Sequence, residues 1–309
     1  MPGAEKEKLV IILGPTASGK TELAVRLAER FDGEIVNADS VQVYRGMDIG
    51  TAKPSAELRQ RVAHHLIDIV SPASNFSASD FRREAAGAIA DIMRRGKKVF
   101  VVGGTGLYIR ALLQGLVDSP SGDDDIRKEL SEEADRKGES ELLGRLSAVD
   151  PVTAARLHPN DRVRIIRALE VYQLTGRPIS QFRHEHGFTE NHYLHLKIGI
   201  TVERQDLYRR IERRVEQMMG QGLVREVSEL LEGGYDAGSK AMRSIGYRQI
   251  CSFINGDYDL AEAVRLIKRD TRRYAKRQIT WFKLDDEINW VEYPDSFATI
   301  CKNVIEFFD

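Results

Sequence analysis

The chain has 309 residues, of which 42% are hydrophobic and 30% are charged, with a formal net charge of −1. This balance is typical of a folded globular protein and excludes a disordered chain and a membrane-embedded one. Because the charge is nearly neutral, an RNA-binding protein of this composition must concentrate its basic residues on one surface. The two cysteines, Cys251 and Cys301, are too few for a disulfide framework or a cysteine-based zinc site, and they fit a reducing compartment.

The early part of the chain carries no long apolar run. Residues 9–13 form an apolar stretch, and a signal-peptide core would need about 7–15 such residues and a membrane-spanning helix about 20. We therefore expect neither segment, no membrane partner and a cytoplasmic location. We also expect the protein to act as a monomer.

Strand and helix patterns alternate over the first third of the chain. The predicted elements are a strand at 9–13, a helix at 21–31, a strand at 34–37, a third strand at 66–70, a helix at 78–95 capped by Ser77 or Ser79, and a buried strand at 99–102. A strand, a helix and a second strand in close succession are typical of a right-handed parallel βαβ unit.

The composition changes after Gly115, where residues 120–125 form a polar, turn-rich break. The elements predicted beyond it are helices over 126–190 and most of 203–280, strands at 195–201 and 289–292, and a C-terminal helix. Residues 126–190 contain no strand candidate, so the helical part interrupts the alternating pattern. We predict a core domain formed by residues 1–118 and 195–309, and an inserted helical domain at 119–194.

A phosphate-binding motif lies between the first strand and the first helix. The motif G-x-x-x-x-G-K-[ST] is matched without exception by Gly14, Pro15, Thr16, Ala17, Ser18, Gly19, Lys20 and Thr21. Backbone N–H groups of such a loop and the positive end of the following helix bind phosphate, while Lys20 reaches outer phosphate oxygens and the Thr21 hydroxyl ligates Mg²⁺. The fold class is therefore predicted to be α/β, a P-loop NTPase-like doubly wound parallel sheet with an inserted all-helical domain.

The usual second element of a phosphate-transferring NTPase, an apolar strand ending in Asp, is not evident. The strand at 99–102 ends in Gly103 and Gly104, which permits a reaction in which diphosphate is the leaving group. Asp39 follows the second strand, and it is expected to face the phosphate loop because ligands collect at the carboxyl ends of parallel strands. Asp39 is either a general base or a plain turn carboxylate, and the sequence leaves both interpretations open.

A set of further motifs follows the phosphate loop in a fixed order. They are Asp39–Tyr44, Met47–Pro54, Val102–Tyr108, His158–Asp161, Arg167–Val171, Ile245–Gln249 and Ala275–Trp281. Together with the phosphate loop they resemble the bacterial tRNA dimethylallyltransferases, also called isopentenyl-tRNA transferases. The resemblance spans residues 9–285, nearly the whole chain.

The resemblance implies an enzyme that transfers a dimethylallyl group from dimethylallyl diphosphate to the exocyclic amine of the adenosine just 3′ of the anticodon in tRNA. Lys20, Thr21 and the cofactor Mg²⁺ would neutralise the departing diphosphate, and Thr16 would lie against the donor. Asp39 would accept the proton of the amine or orient it. A positioned carboxylate contributes about 10²–10⁴ in rate, and stabilisation of the leaving group is expected to contribute more.

The resemblance also implies a tRNA-binding surface. Its residues are Asp39, Ser40, Val41, Gln42, Thr105, Arg127, Arg164, Arg167, Arg243, Arg248, Lys276, Arg277 and Lys283. Lys276, Arg277 and Lys283 belong to a basic strip that begins at Arg265, although a charge run of this kind is often only a solvated face. Thr105 would contact the nucleotide that leaves its stack, or would serve only in a strand-ending turn.

Three other functions remain open at this point. A P-loop kinase for small molecules shares the loop, the fold and the carboxylate, but leaves the basic strip and the insertion unexplained. An RNA-binding NTPase switch would need nucleotide hydrolysis, against which the missing strand-terminal Asp counts. A relative that prenylates free AMP or ATP would not need the long insertion. RNA-dependent transfer would count against the kinase, and nucleotide-dependent RNA affinity would indicate the switch.

Overall fold

The computed structural model describes residues 6–117, 120, 122–187 and 192–309. The chain divides into two compact units, one formed by Met1–Leu113 with Asn191–Asp309 and the other by Gln114–Glu190. The predicted domain boundary at 118–119 lies outside the described residues. Within the described residues, no helix is long and apolar enough to cross a membrane.

The first unit is built on a parallel sheet. The described residues contain six strands, β1 (Glu7–Leu13), β2 (Gly33–Asn37), β3 (His64–His65), β4 (Lys98–Gly103), β5 (Tyr193–Thr201) and β6 (Asn289–Glu292). Their spatial order is β3-β2-β4-β1-β5-β6, and every pairing is parallel. β1 therefore lies at the centre, with the carboxyl ends of β2 and β4 on one side and of β5 on the other. The predicted doubly wound parallel sheet is confirmed.

Helices cover both faces of this sheet. Those of the first unit are α1 (Lys20–Arg30), α2 (Ala56–Arg61), α3 (Ala78–Arg94), α4 (Gly106–Gln114), α10 (Arg204–Gln221), α11 (Leu223–Glu232), α12 (Tyr247–Ile254), α13 (Leu260–Phe282) and α14 (Phe297–Phe308). The predicted N-cap of α3 is confirmed, since the Ser77 hydroxyl accepts the N–H of Asp80 and the Asp80 carboxylate accepts the N–H of Ser77.

The two faces of β1 belong to two separate cores because successive side chains of a strand point to opposite faces. Leu9 and Ile11 pack in the core that includes α3, α4 and α11–α13. Val10 and Ile12 pack in the core that includes α1 and α14. All of these side chains are fully buried, as expected for a central strand of a doubly wound sheet.

The third strand differs from its prediction at 66–70. β3 consists of His64 and His65 alone, and the backbone at Leu66 and Asp68 has positive φ angles of 64° and 59°. Positive φ is incompatible with an extended strand, so pairing with β2 stops at His65. Val70 returns to form a single parallel bridge with Tyr44. The apolar pattern at 66–70 therefore reflects packing of a loop.

The second unit is helical in its described residues. Its helices are α5 (Asp124–Lys137), α6 (Glu139–Val149), α7 (Pro151–Ala154), α8 (Arg162–Thr175) and α9 (Ile179–His186). They enclose a core of their own, to which Leu130, Leu146, Ile165 and Leu169 contribute. Asp150 is buried beneath α7, where its carboxylate accepts N–H groups of Thr153 and Ser180 at 2.9 and 3.0 Å.

Candidate active site

The phosphate loop connects β1 to α1 at the carboxyl edge of the sheet. Gly19 precedes α1 with a φ of 95°, and no side chain among the described residues caps the helix there. The first N–H groups of a helix have no intrahelical partner, so they remain available to an anion. The Ser18 hydroxyl is also buried without a hydrogen-bond partner in the described residues. These unsatisfied donors fit a bound phosphate group.

Asp39 follows β2 and faces this loop across a cleft. One carboxylate oxygen, Oδ1, accepts the N–H groups of Val41 and Gln42 at 2.9 and 3.3 Å. Burial raises the pKa of Asp39, while these N–H groups and the nearby cations oppose that rise. Asp39 is thus a turn carboxylate through Oδ1, and Oδ2 has no hydrogen bond among the described residues. The two interpretations of Asp39 from sequence are compatible.

Two cations lie beside Asp39. Lys20 extends from α1 and donates to the Pro15 carbonyl oxygen at 2.6 Å. Arg214 extends from α10, and its Nη1 lies 3.4 Å from the Thr16 hydroxyl. Burial and the neighbouring Arg214 lower the pKa of Lys20 to about 7, whereas Asp39 acts in the opposite direction. Among the described residues, Asp39 is the one carboxylate beside these two buried cations, and a bound polyanion would stabilise both of them.

Gln278 of α13 joins the phosphate loop to the loop after β4. Its Oε1 accepts the N–H of Thr16 at 2.9 Å, and its Nε2 donates to the Gly104 carbonyl at 2.9 Å. A Cβ at Gly104 would lie 2.2 Å from that Nε2, and a Cβ at Gly103 would lie 2.1 Å from the Ala38 carbonyl oxygen. Close packing against the backbone therefore requires Gly103, and a side chain at Gly104 would displace the Gln278 amide from its hydrogen bonds. These glycines stand in the place where an NTPase would carry an Asp.

The cleft has a volume of about 530 Å³ and is polar on one side and apolar on the other. The polar side carries the phosphate loop, Asn37 and Asp39, and the Nδ2 of Asn37 is buried without a partner in the described residues. The apolar side is formed by α10 and α13 through Ile211, Val215, Met218 and Ile267. A ligand with a phosphate head and a short hydrocarbon group fits this division.

Comparison with known proteins identifies the family. A family profile described as IPP transferase matches residues 42–285. The tRNA dimethylallyltransferase 2 of Geotalea uraniireducens is 73% identical over 306 residues, which cover 99% of each chain. The solved tRNA isopentenylpyrophosphate transferase of Bacillus halodurans has a TM-score of 0.73 and 42% identity, covering 98% of this chain and 97% of its own.

The chain belongs to the tRNA dimethylallyltransferase family. A solved eukaryotic dimethylallyltransferase, described as acting on tRNA, is also similar, with a TM-score of 0.79 and 29% identity, and it covers 93% of this chain and 74% of its own. The family resemblance predicted from the ordered motifs is confirmed, as is the prediction of a prenyltransferase enzyme. Its relatives share the P-loop NTPase-like fold described above.

Several of the residues that were predicted to bind tRNA lie at the cleft. Ser40, Val41, Gln42 and Arg243 line it beside Asp39. The Thr105 hydroxyl accepts the N–H of Ser40 at 3.2 Å, which places Thr105 directly behind the Asp39 turn. The Gln42 side chain donates through Nε2 to the carbonyls of residues 51 and 52 at 3.0 and 3.2 Å. Its Oε1 is therefore the end of the amide left to accept a hydrogen bond.

The basic strip of α13 divides into two parts. Its first residues are paired with acids, as in the 2.7 Å contact of Lys268 with Glu216 and the 2.5 Å contact of Arg272 with Glu212. The predicted tRNA-binding residues at its end, Lys276, Arg277 and Lys283, are exposed and have no acidic partner among the described residues. Only the end of the strip is therefore available to an external anion.

Other predicted tRNA-binding arginines are held by acids. Arg248 donates to Asp270 at 2.7 Å in the first unit. In the second unit Arg164 pairs with Asp161 at 3.0 Å, while Arg127 and Arg167 both pair with the fully buried Glu170 at 2.8 and 2.5 Å. Their roles toward tRNA stay predictions. Arg127 and Arg167 have a structural role in addition, because Glu170 would be an unpaired buried charge without them.

Sequence reasoning missed Arg214, Gln278 and Tyr274. Each lies on the apolar stripe of its amphipathic helix, Arg214 seven residues after Leu207 and Gln278 seven residues after Thr271. A polar side chain on a packed helical face is a signal of function, since it must find a partner there. Burial raises the pKa of Tyr274, which lines the cleft, to about 12, so its hydroxyl stays protonated as a donor near neutral pH.

Proposed function

We propose that the chain transfers a dimethylallyl group from dimethylallyl diphosphate to the exocyclic amine of the adenosine that lies just 3′ of the anticodon in tRNA. The observation that carries this proposal is the placement of Asp39 opposite Lys20 and Arg214, in a cleft whose other wall is apolar. We expect the enzyme to act as a monomer in the cytoplasm, where its tRNA substrate is found.

The donor binds with its diphosphate at the phosphate loop and its five-carbon group against the apolar wall. The loop N–H groups, Ser18, Lys20 and Arg214 contact the diphosphate, and Ile211 and Val215 contact the hydrocarbon. As the C1–O bond breaks, negative charge grows on the diphosphate oxygens. Donors fixed before the reaction stabilise that charge without reorganisation, which lowers the barrier to departure of the leaving group.

The residues at the loop also fit Mg²⁺. This ion prefers oxygen ligands, keeps several waters and is commonly held by substrate phosphates with one or two protein oxygens. The Thr21 hydroxyl, at the start of α1 in the cleft, supplies such an oxygen. When bound with the diphosphate, Mg²⁺ would neutralise part of the charge of the leaving group.

The acceptor amine approaches from the Asp39 side. A bond forms between the adenine N6 and C1 of the donor, the C1–O bond breaks, and diphosphate leaves with its electron pair. N6 then holds one proton too many, and the Oδ2 of Asp39 accepts it. The raised pKa of the buried carboxyl suits this role, because a base with a higher pKa holds the proton more firmly.

The test is one assay with labelled donors. Purified protein with Mg²⁺ is given an unmodified anticodon stem-loop that carries adenosine 3′ of the anticodon, and isotope-labelled dimethylallyl diphosphate or γ-labelled ATP. We expect label in RNA from the prenyl donor only. Label transferred from ATP alone would make the protein a kinase. Equal transfer to free AMP offered in place of the stem-loop would show that the acceptor is a nucleotide and not tRNA.

A further inference from the structure

A second cavity adjoins the donor cleft, with a volume of about 500 Å³. The same two helices line both. Tyr208 of α10 and Lys276 of α13 line the second cavity, whereas Arg214 of α10 and Gln278 of α13 line the cleft. A small apolar cluster that includes Leu207 and Ala275 packs between these helices. Arg204, which lines the second cavity, is ten residues from Arg214, or about 15 Å along the helix.

The floor of this second cavity is aromatic and apolar. Trp290 is 39% exposed and lines it, with Ile200 and Ile279. The Trp290 indole packs on the backbone of its β5 neighbour Gly199, since a Cβ there would lie 2.8 Å from the ring. Any side chain at Gly199 would displace the indole. The packing therefore fixes Trp290 as a flat surface that faces the cavity.

The rim of the second cavity is cationic. Arg204, Lys276 and Lys283 line it, and no acid among the described residues pairs with them. Arg204 instead donates to the Tyr208 hydroxyl at 3.2 Å, with its guanidinium 5.4 Å from the ring centre. Nearer the start of α13, Lys268 and Arg272 are paired with acids of α10. In the part of the chain that the structure describes, the cations of α13 that lack an acidic partner therefore lie near its end, beside the second cavity.

The occupant must combine an anionic group with a flat apolar one. The start of α10 offers no open N–H groups to a diphosphate, because Glu203 caps it and its carboxylate accepts the N–H groups of Gln205 and Asp206 at 2.6 and 3.0 Å. A nucleotide meets both requirements, since its base stacks on an aromatic ring and its flanking phosphates pair with the cations.

We propose that the second cavity binds an unstacked base of the acceptor RNA, a different base from the one modified, with the base on Trp290 and its phosphates at Arg204, Lys276 and Lys283. The inference rests on the proposed function, since it assumes that an RNA loop reaches the cleft. A second bound base close to the cleft would hold the loop open and keep the target adenosine unstacked.

The first experiment couples Trp290 to individual bases. Stem-loops with one loop nucleotide at a time made abasic, the target adenosine excepted, are titrated against the native protein and Trp290→Ala. Stacking on an aromatic ring contributes about a tenfold to hundredfold change in affinity. We expect one abasic position to weaken binding to the native protein by about tenfold and to leave Trp290→Ala unaffected. Equal losses in both proteins at every position would overturn the inference.

The second experiment uses fluorescence. The chain has two tryptophans, Trp281 and Trp290, so Trp281→Phe leaves Trp290 as the only indole. Its emission should be quenched by the stem-loop and not by the prenyl donor. Unchanged emission in a complex that still transfers the prenyl group to RNA would refute the second base site and leave the proposed function standing. Failure of the native protein to prenylate RNA would refute the proposed function itself.

Two lysines of α13 and its C-terminal cap distinguish a specific phosphate contact at the rim from a general effect of positive charge. Lys283→Ala should weaken stem-loop binding several-fold and reduce the slope of log Kd against log salt by about one, because one phosphate contact is lost. Lys268→Ala also removes one positive charge, but Lys268 is paired with Glu216 at 2.7 Å. The slope of log Kd against log salt for Lys268→Ala should therefore equal that of the native protein. The same reduction in both variants would exclude the rim as a specific phosphate site.

Discussion

The Tyr247 hydroxyl donates a hydrogen bond to the Glu226 carboxylate at 2.5 Å. The same carboxylate accepts three successive backbone N–H groups, those of Asp48, Ile49 and Gly50, at 2.9, 2.7 and 3.1 Å. The loop held in this way continues to the carbonyls of residues 51 and 52 that accept from Gln42. A carboxylate remote from the chemistry thus fixes the acceptor side of the cleft through its backbone.

We predict that Glu226→Gln weakens RNA binding about tenfold and lowers the free energy of unfolding by about 2 kcal/mol. The neutral amide accepts weaker hydrogen bonds than a carboxylate, and its NH₂ group cannot accept from a backbone N–H. Denaturant unfolding and stem-loop titration measure the two effects. Tyr247→Phe, which removes one hydrogen bond only, should show a smaller loss of each. Native RNA affinity in Glu226→Gln would mean that the loop is held without this carboxylate.

For the proposed base we predict that Asp39→Asn lowers kcat by about 10²–10⁴, the usual contribution of a general base, with the stem-loop Kd within a few-fold of native. Asparagine keeps an oxygen for the N–H groups of Val41 and Gln42, so the turn is retained, whereas alanine would lose the turn and the base together. Single-turnover transfer gives the rate and titration gives the Kd. A variant that keeps its rate would remove Asp39 from proton transfer.

The pH dependence of the native enzyme provides a further check on this residue. Because burial raises the pKa of Asp39, transfer should fall as the pH drops through that raised value, at a higher pH than for an exposed carboxylate. The acid limb of the kcat/KM profile should be absent from the residual activity of Asp39→Asn.

We predict that Arg214→Gln lowers kcat/KM for the prenyl donor by about 10²-fold, since a charge-assisted contact to the diphosphate would be lost where charge develops. Arg213→Gln is the matched control, because Arg213 is exposed on the same helix and does not line the cleft. Steady-state kinetics with varied donor measure the effect. Equal losses in both variants would indicate a general effect of helix charge, and Arg214 would have no specific role.

The parts predicted correctly from sequence are those whose cause is local. The phosphate loop needs glycines at set positions, and the Ser77 cap needs a hydroxyl three residues before an acid, so both can be recognised from spacing. Arg214 could not be distinguished from Arg213 beside it, because its role depends on which face of α10 packs on the loop. The pairing of Lys268 with Glu216 joins residues 52 positions apart, so spacing within one helix does not show it.

The last prediction concerns acid stability. Glu34 of β2 is buried and receives hydrogen bonds from Arg95 at 2.9 Å and from His65 at 2.7 Å. These partners, Arg95 above all, lower the pKa of Glu34 to about 2, against an ordinary value of 4.5. The folded state therefore binds this proton less readily than the unfolded chain. The resulting stabilisation is complete above about pH 4.5 and is lost as the pH falls toward 2.

Glu34→Gln should accordingly be less stable than the native protein by about 2 kcal/mol at pH 7. This free energy is smaller than the one that the full pKa difference corresponds to, because Arg95 is partly exposed and solvent screens its charge. The difference between the two proteins should shrink steadily below pH 4.5, as measured by urea unfolding at a series of pH values. Glu29→Gln is the control, since Glu29 pairs with Arg61 on the exposed surface, where ion pairs contribute little. A stability difference between Glu34→Gln and the native protein that stayed constant from pH 7 to pH 3 would show that Glu34 acts through packing, since the Glu34 carboxyl is the one titrating group that the two proteins do not share.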